Sequence, residues 1–426
     1  MPKIFRASIM HTPQSPFAGG LLASYEDGAL VIKNDEIIDL DDYAKIATKY
    51  PNAKTHSFKN SFILPGLIDT HVHYPQIPVI GAMGLRLLDW LEQRTLPAEA
   101  KLADRKIAKK QAKIFLKQLA RNGTTTALVF GAHFATAMEE FFIQADKSKL
   151  RITAGLVLGD RLLHPDLYTS PQKAYSESKA LIEKWHNKNR LRYAVTPRFS
   201  VSCSDEILAV CGKLLAEYPD LYFTTHINEQ IEEIKLVKEQ FGAPDYLETY
   251  EKHNLINERS ILAHNVHPSD SELSRIARAN AAVAHCPSSN MFIGSGLFNM
   301  LKHLEHRVKF GLGSDVGGGT GFSIFKEGLN SYQVQMLQKN QLDLGSSHLL
   351  YLASLAGAEA LGLDTTVGSF EIGKKADFIV LKPQAKSTLA INLKYSSSAE
   401  DSLASIFTLA RADAIKDVFV SGESVL

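Results

Sequence analysis

The sequence is poor in the features that mark most specialised classes of protein. It has three cysteines, Cys203, Cys211 and Cys286, an odd and widely spaced set that argues against a disulfide framework or a CxxC metal site and fits reduced thiols. No apolar run approaches the ~18 residues of a membrane span, and the opening MPKIFRASIMHT lacks the continuous apolar core of a signal peptide. A soluble cytoplasmic protein is expected. Net charge is +1, with 47 Lys and Arg against 46 Asp and Glu, so there is no excess for gripping a nucleic-acid backbone or an anionic membrane. The expected substrate is small and not strongly charged. No G-x-G-x-x-G follows the first long apolar run, and the glycine cluster at 311–321 lacks the Lys-Ser/Thr ending of a phosphate loop.

What is present is the composition of a large globular chain. Hydrophobic residues at 45% and charged residues at 22% of 426 leave no low-complexity tract. Residues 1–62 read as short antiparallel strands at 5–10, 21–25, 29–33 and 37–40, with turns at 26–28 and 34–35 and a helical connection at 41–50. From 63 to 366 the pattern becomes strand followed by helix. Apolar runs at 62–70, 124–130, 152–158, 193–196, 221–225, 260–263, 281–284 and 308–311 are apolar at consecutive positions, as in strands buried on both faces. About eight such repeats predict an α/β fold, a (β/α)8 TIM barrel. After a helix at 346–361, strand composition returns at 368–372, 377–381 and 417–420. Neither end buries a good core alone, so 1–62 and 367–426 are expected to form one small β-sandwich that the barrel interrupts.

The centre of the chain is PGLIDTHVHYPQ, residues 65–76. Residues i and i+2 of a strand face the same way, so His71 and His73 point together and can share a metal ion, with Asp69 on the same side as a candidate to orient a ligand histidine. Later apolar runs end in His226, His264 and Asp315. Barrel strands deliver their carboxyl-end residues to one mouth, which gathers five metal-type side chains. Imidazoles with a carboxylate suit Zn²⁺, with another first-row metal such as Fe²⁺ as the alternative. Glu229, three residues after His226, is placed to move protons beside such a metal. His285 is a candidate for the site wall, and Trp90 either closes the pocket or packs in the core. His133 and His303 are expected in surface or capping roles with the other remaining histidines.

Seven stretches, PGLIDTHVHYPQ, LLDWLEQRTLPAE, NGTTTA, TPRFSVSCS, THINE, AHCPSSN and GLGSDVGGGT, together with GSFEIGKKADFIVL near the end, follow one another in an order that resembles the guanine deaminases of the amidohydrolase superfamily. HYPQ with TPRFS makes the resemblance specific. It implies one Zn²⁺ per chain held by His71, His73, His226, His264 and Asp315, catalysis by Glu229 and Asp315, and a purine held by Gln76, Arg198 and Phe199 and facing His73, His226, Glu229 and Asp315. It further implies guanine and water as substrates, a place in purine catabolism, and a cytoplasmic homodimer. Competing expectations are deamination of another aminated heterocycle (adenosine-type, cytosine or aminotriazine) and a non-catalytic scaffold that kept the barrel.

Overall fold

The computed structural model describes residues 1–340 and 342–426. Strands β1 (Lys3–His11), β2 (Ala23–Lys33), β3 (Glu36–Asp42) and β4 (Lys54–Pro65) open the chain. The barrel strands follow: β5 (Leu67–His73), β6 (Thr124–Phe130), β7 (Arg151–Gly155), β8 (Val157–Leu158), β9 (Leu191–Pro197), β10 (Tyr222–Ile227), β11 (Ser260–His264), β12 (Ala282–His285) and β13 (Lys309–Leu312). β14 (Phe378–Leu381), β15 (Ile415–Val420) and β16 (Glu423–Ser424) return to the first sheet. The barrel path runs β5-β6-β7-β9-β10-β11-β12-β13 with β8 beside β9, and its ladders are parallel. Helices between the strands cover the outside, as a sheet apolar on both faces requires.

The two chain ends meet in one sheet, ordered β16-β15-β14-β4-β1-β2-β3. Phe5 on β1 and Phe419 on β15 are separated by two intervening strands, yet their ring centroids lie 5.3 Å apart. A flat sheet would hold them roughly 14 Å apart at ~4.8 Å per strand. The layering expected of a sandwich therefore arises from one sheet curling over a core of Phe5, Ile63, Phe378 and Phe419.

Four details differ from the sequence expectations. The run at 62–70 is two strands, because the chain passes from one sheet to the other at Gly66, where a Cβ would collide with the Thr125 side chain. The barrel strand consequently reaches His73, so both histidines lie within it. Glu26-Asp27-Gly28 is no turn: β2 runs through it with a register shift against β1 between Ala7 and Ile9, a bulge at which Arg6 pairs with Asp27 at 2.6 Å. Residues 368–372 form no strand. Gly368 is left-handed there (φ 96°), and Ser369 and Lys374 bond to Glu371 across a turn. The helix at 346–361 is interrupted at Ser354, giving Ser346–Ala353 and Leu355–Ala360.

The barrel and the curled sheet are joined by an ion pair whose carboxylate is buried. Arg151, at the start of β7, donates to Asp377 at 2.7 and 3.1 Å, and the same carboxylate accepts the Ser421 backbone N–H at 2.8 Å. Removing one partner of such a pair strands a desolvated charge. Arg151→Met should lower stability by about 3–5 kcal/mol, read as a shift of the urea midpoint. A loss under about 1 kcal/mol would mean that the Asp377 charge is satisfied without Arg151.

Candidate active site

The expected residues converge at the carboxyl ends of the barrel strands. His71 and His73 project from β5, His226 from β10 and His264 from the end of β11, while Asp315 follows β13. Candidate ligand atoms of His71, His226, His264 and Asp315 lie within 4.8 Å of one another. His73 Nε2 is 3.1 Å from His71 Nε2, 3.2 Å from His226 Nε2 and 3.2 Å from Asp315 Oδ1. His71 Nε2 is 3.3 Å from the same oxygen. His264 and Asp315 hold left-handed backbone conformations (φ 71° and 46°), which non-glycine residues adopt at a cost and which cluster at functional sites.

Hydrogen bonds fix two of the rings. Nδ1 of His226 lies 2.6 Å from the Arg198 carbonyl oxygen, which can only accept, so that nitrogen carries the proton and Nε2 is bare. Nδ1 of His264 faces Asn290 Oδ1 at 2.9 Å with the same result. Burial lowers the His73 imidazole to about 4, with Asp315 opposing, and holds His226 well below its ordinary value, with His71 and His73 adding to the effect. Burial also opposes ionisation of Asp315, yet His71 and His73 beside it keep its carboxyl well below the usual range.

His73 Nε2 lies 3.1–3.2 Å from ring nitrogens of His71 and His226 and from an Asp315 oxygen, a crowding of donor atoms that a cation among them would favour. First-row metal ions bind nitrogen and oxygen donors at about 2.0–2.2 Å, which brings neighbouring donor atoms to roughly 3 Å from one another. The donor set therefore fits a metal of that type. Glu229 stands at its edge, with Oε2 3.4 Å from His264 Nε2 and Oε1 accepting from Ser295 Oγ at 3.1 Å. Burial, reinforced by the Asp315 charge, pushes its carboxyl up to about 8, so it holds a proton near neutrality.

A narrow cavity opens on this cluster. Gln76, Arg198 and Phe199 line it with Glu229, and Leu87, Trp90, Leu91 and Ile293 supply apolar wall. Trp90 thus lines the pocket and is buried as well, and its indole N–H has no partner among the described residues. Asp69 acts through the backbone and not on an imidazole: it accepts the N–H groups of His71 (3.2 Å) and Ser314 (3.0 Å) and the Ser314 hydroxyl (2.5 Å).

Other expectations need correction. His285 is not among the described residues lining the cavity; it is stacked on Phe298 at 4.2 Å, in the core. His303 flanks the other face of that ring at 4.1 Å and is fully buried, so it has no surface role. His133 is also buried, 3.3 Å from Glu99. Glu99, Asn290 and Ser295 were not singled out by sequence. Each makes its contact across a long sequence separation, and only the acidic residue in an otherwise apolar LPAEA segment hints at Glu99.

The amidohydrolase family model matches residues 62–425. A probable guanine deaminase of Deinococcus radiodurans is 50% identical, over 99% of this chain and 98% of that protein. Among solved structures, E. coli guanine deaminase superposes with a TM-score of 0.96 at 36% identity, covering 100% of this chain and 99% of that one. Guanine deaminase from C. acetobutylicum, with guanine bound in its active site, gives 0.93 at 28% identity over the whole of both chains.

Asn290 touches a candidate ligand without being one. Asn290→Ala should free the His264 ring to change tautomer and weaken metal affinity by about 10–100-fold, measured by chelator competition on a variant of unchanged circular dichroism. Wild-type affinity would show that the ring is held by other means.

Proposed function

The chain belongs to the amidohydrolase family, and on that premise we propose that it hydrolyses guanine to xanthine and ammonia, replacing the 2-amino group with oxygen in purine catabolism. The observation that carries the reading is that a proton-bearing carboxyl, Glu229, adjoins a metal-type cluster and lines the same pocket as Arg198. The family is metal-dependent, and we assign zinc to His71, His73, His226, His264 and Asp315. A metal held there would supply the acidification of a water that makes a nucleophile available near neutral pH.

The chain's own residues supply the rest. Asp315, kept ionised, accepts a proton from the attacking water. Glu229 gives its proton to the ring nitrogen next to C2, takes the proton of the new C2 hydroxyl and passes it to the amine. The C2–N bond then breaks as ammonia leaves, C2–O becomes the carbonyl of xanthine, and the proton held by Asp315 returns to Glu229. Arg198 suits the O6 and N7 acceptors of guanine, since its planar fork matches two adjacent acceptors. Phe199 offers an apolar wall to the base. A cytoplasmic homodimer with no nucleic-acid or membrane partner completes the proposal.

Two measurements test it. In a panel of guanine, adenine, cytosine and aminotriazines, ammonia release should be greatest from guanine. Inactivity on guanine alone would transfer the reading to another aminated heterocycle. Glu229→Gln should retain about one metal equivalent per chain while kcat falls by roughly 10²–10⁴-fold, because a proton carrier is lost and the ligands stay. Turnover at the wild-type rate would reduce Glu229 to a group that only favours the start of the following helix.

A further inference from the structure

One carboxylate outside the proposed catalytic set touches both polar residues of the base-facing wall. Glu99 lies on the short helix Leu96–Ala100 and is 2% exposed. Its Oε1 accepts from Gln76 Nε2 at 2.9 Å, and its Oε2 accepts from an Arg198 terminal nitrogen at 2.6 Å. Gln76 is also held from the other side, its Oε1 accepting the Gly317 backbone N–H at 3.1 Å. Gln76 and Glu99 belong to the one connection between β5 and β6, Arg198 follows β9, and all three are buried.

The arrangement leaves no freedom in polarity. An ionised carboxylate only accepts and a backbone N–H only donates, so the Gln76 amide between them has one satisfied orientation, with nitrogen toward Glu99. The side-chain N–H groups of Gln76 and Arg198 that Glu99 does not use are then donors of fixed position at the cavity wall. Glu99 also neutralises a guanidinium that would otherwise be a costly unpaired charge, so the wall remains suited to a neutral ligand. Guanine presents two adjacent acceptors, O6 and N7, to such a wall, whereas an amino group at C6 would present a donor to a donor.

We propose that Glu99 is a specificity-determining positioning residue, which clamps Gln76 and Arg198 so that the wall selects an oxo group at C6 of the purine. The inference rests on the reading of Arg198 given above. Glu99 itself does not touch the reacting atoms. Its role is to hold two donors where only the correct base satisfies them.

The test compares kcat/KM for guanine and for 2-aminopurine, which keeps the reacting 2-amino group and lacks O6, in metal-loaded enzyme. Glu99→Gln should lower the value for guanine by about 10–100-fold and that for 2-aminopurine by no more than about threefold, since one good bidentate contact is at stake. Glu99→Asp keeps the charge but withdraws it by one methylene, so an intermediate drop in the ratio is expected. This variant carries the comparison if Glu99→Gln does not fold. Arg198→Met should also lower the ratio, and adding Glu99→Gln to it should change the ratio by less than about twofold, because the two residues act as one unit. Equal losses on both substrates in the Glu99 variants would make Glu99 structural and overturn the proposal. If Arg198→Met lowers the ratio and the Glu99 variants do not, only the role of Glu99 falls. If Arg198→Met leaves the ratio at its wild-type value, the reading of Arg198 fails and this inference fails with it.

Discussion

The barrel closes through its own site. Its first and last strands, β5 and β13, share no regular ladder; Thr70 Oγ1 donates to the Leu312 carbonyl at 2.9 Å, Asp315 N to the His71 carbonyl at 2.9 Å and His73 N to the Val316 carbonyl at 3.1 Å. Asp69 adds bonds to both sides of the seam. His71 and Asp315 are thus tied through their backbones, whatever their side chains bind. Side chains alternate along a strand, so a slip of one residue at this seam would turn both β5 histidines away from the mouth. The register that closes the fold is the register that assembles the cluster.

Four buried carboxyl groups in and around that cluster have separate tasks because their surroundings differ. Burial raises all of them, and what stands beside each decides the outcome. Glu229 has the Asp315 charge for a neighbour and is pushed up to about 8, whereas Asp69, bonded by Ser314 and His71, reaches about 7. Glu99 also resists ionisation by burial, but the Arg198 guanidinium holds its carboxyl well below the usual range. Asp315 is held down by imidazoles. One group keeps a proton to give and another is bare to receive one, which is the separation of acid and base that a proton-transfer reaction needs.

Much of this was legible in the sequence, and the reasons are local. His71 and His73 were found from the i, i+2 periodicity of a strand, and His226, His264 and Asp315 from apolar runs that stop at a metal-type side chain. Periodicity and run endings are properties of neighbouring residues. Glu99 and His133 were missed because their partners lie far along the chain: Glu99 is 99 residues from Arg198, and nothing near position 99 predicts a buried guanidinium. The same reasoning failed at Gly66, where one continuous apolar run hides a passage between two sheets. It failed again at Glu26-Asp27-Gly28, where turn-type residues serve a bulge. The composition was read as a turn, but the direction of the chain there depends on the β1 partner, which the segment does not encode.

Under the proposed function, Arg198 would connect recognition of the base to metal ligation through its own backbone. Its guanidinium meets Glu99, while its carbonyl accepts Nδ1 of His226 and its N–H is donated to Leu158 on β8. The side chain and the carbonyl are chemically independent, so a substitution at position 198 removes the base-facing donors and leaves the partner of His226 in place. They are not mechanically independent. Any displacement of the segment after β9 that shifts the guanidinium relative to a bound base also shifts the oxygen that fixes the His226 tautomer.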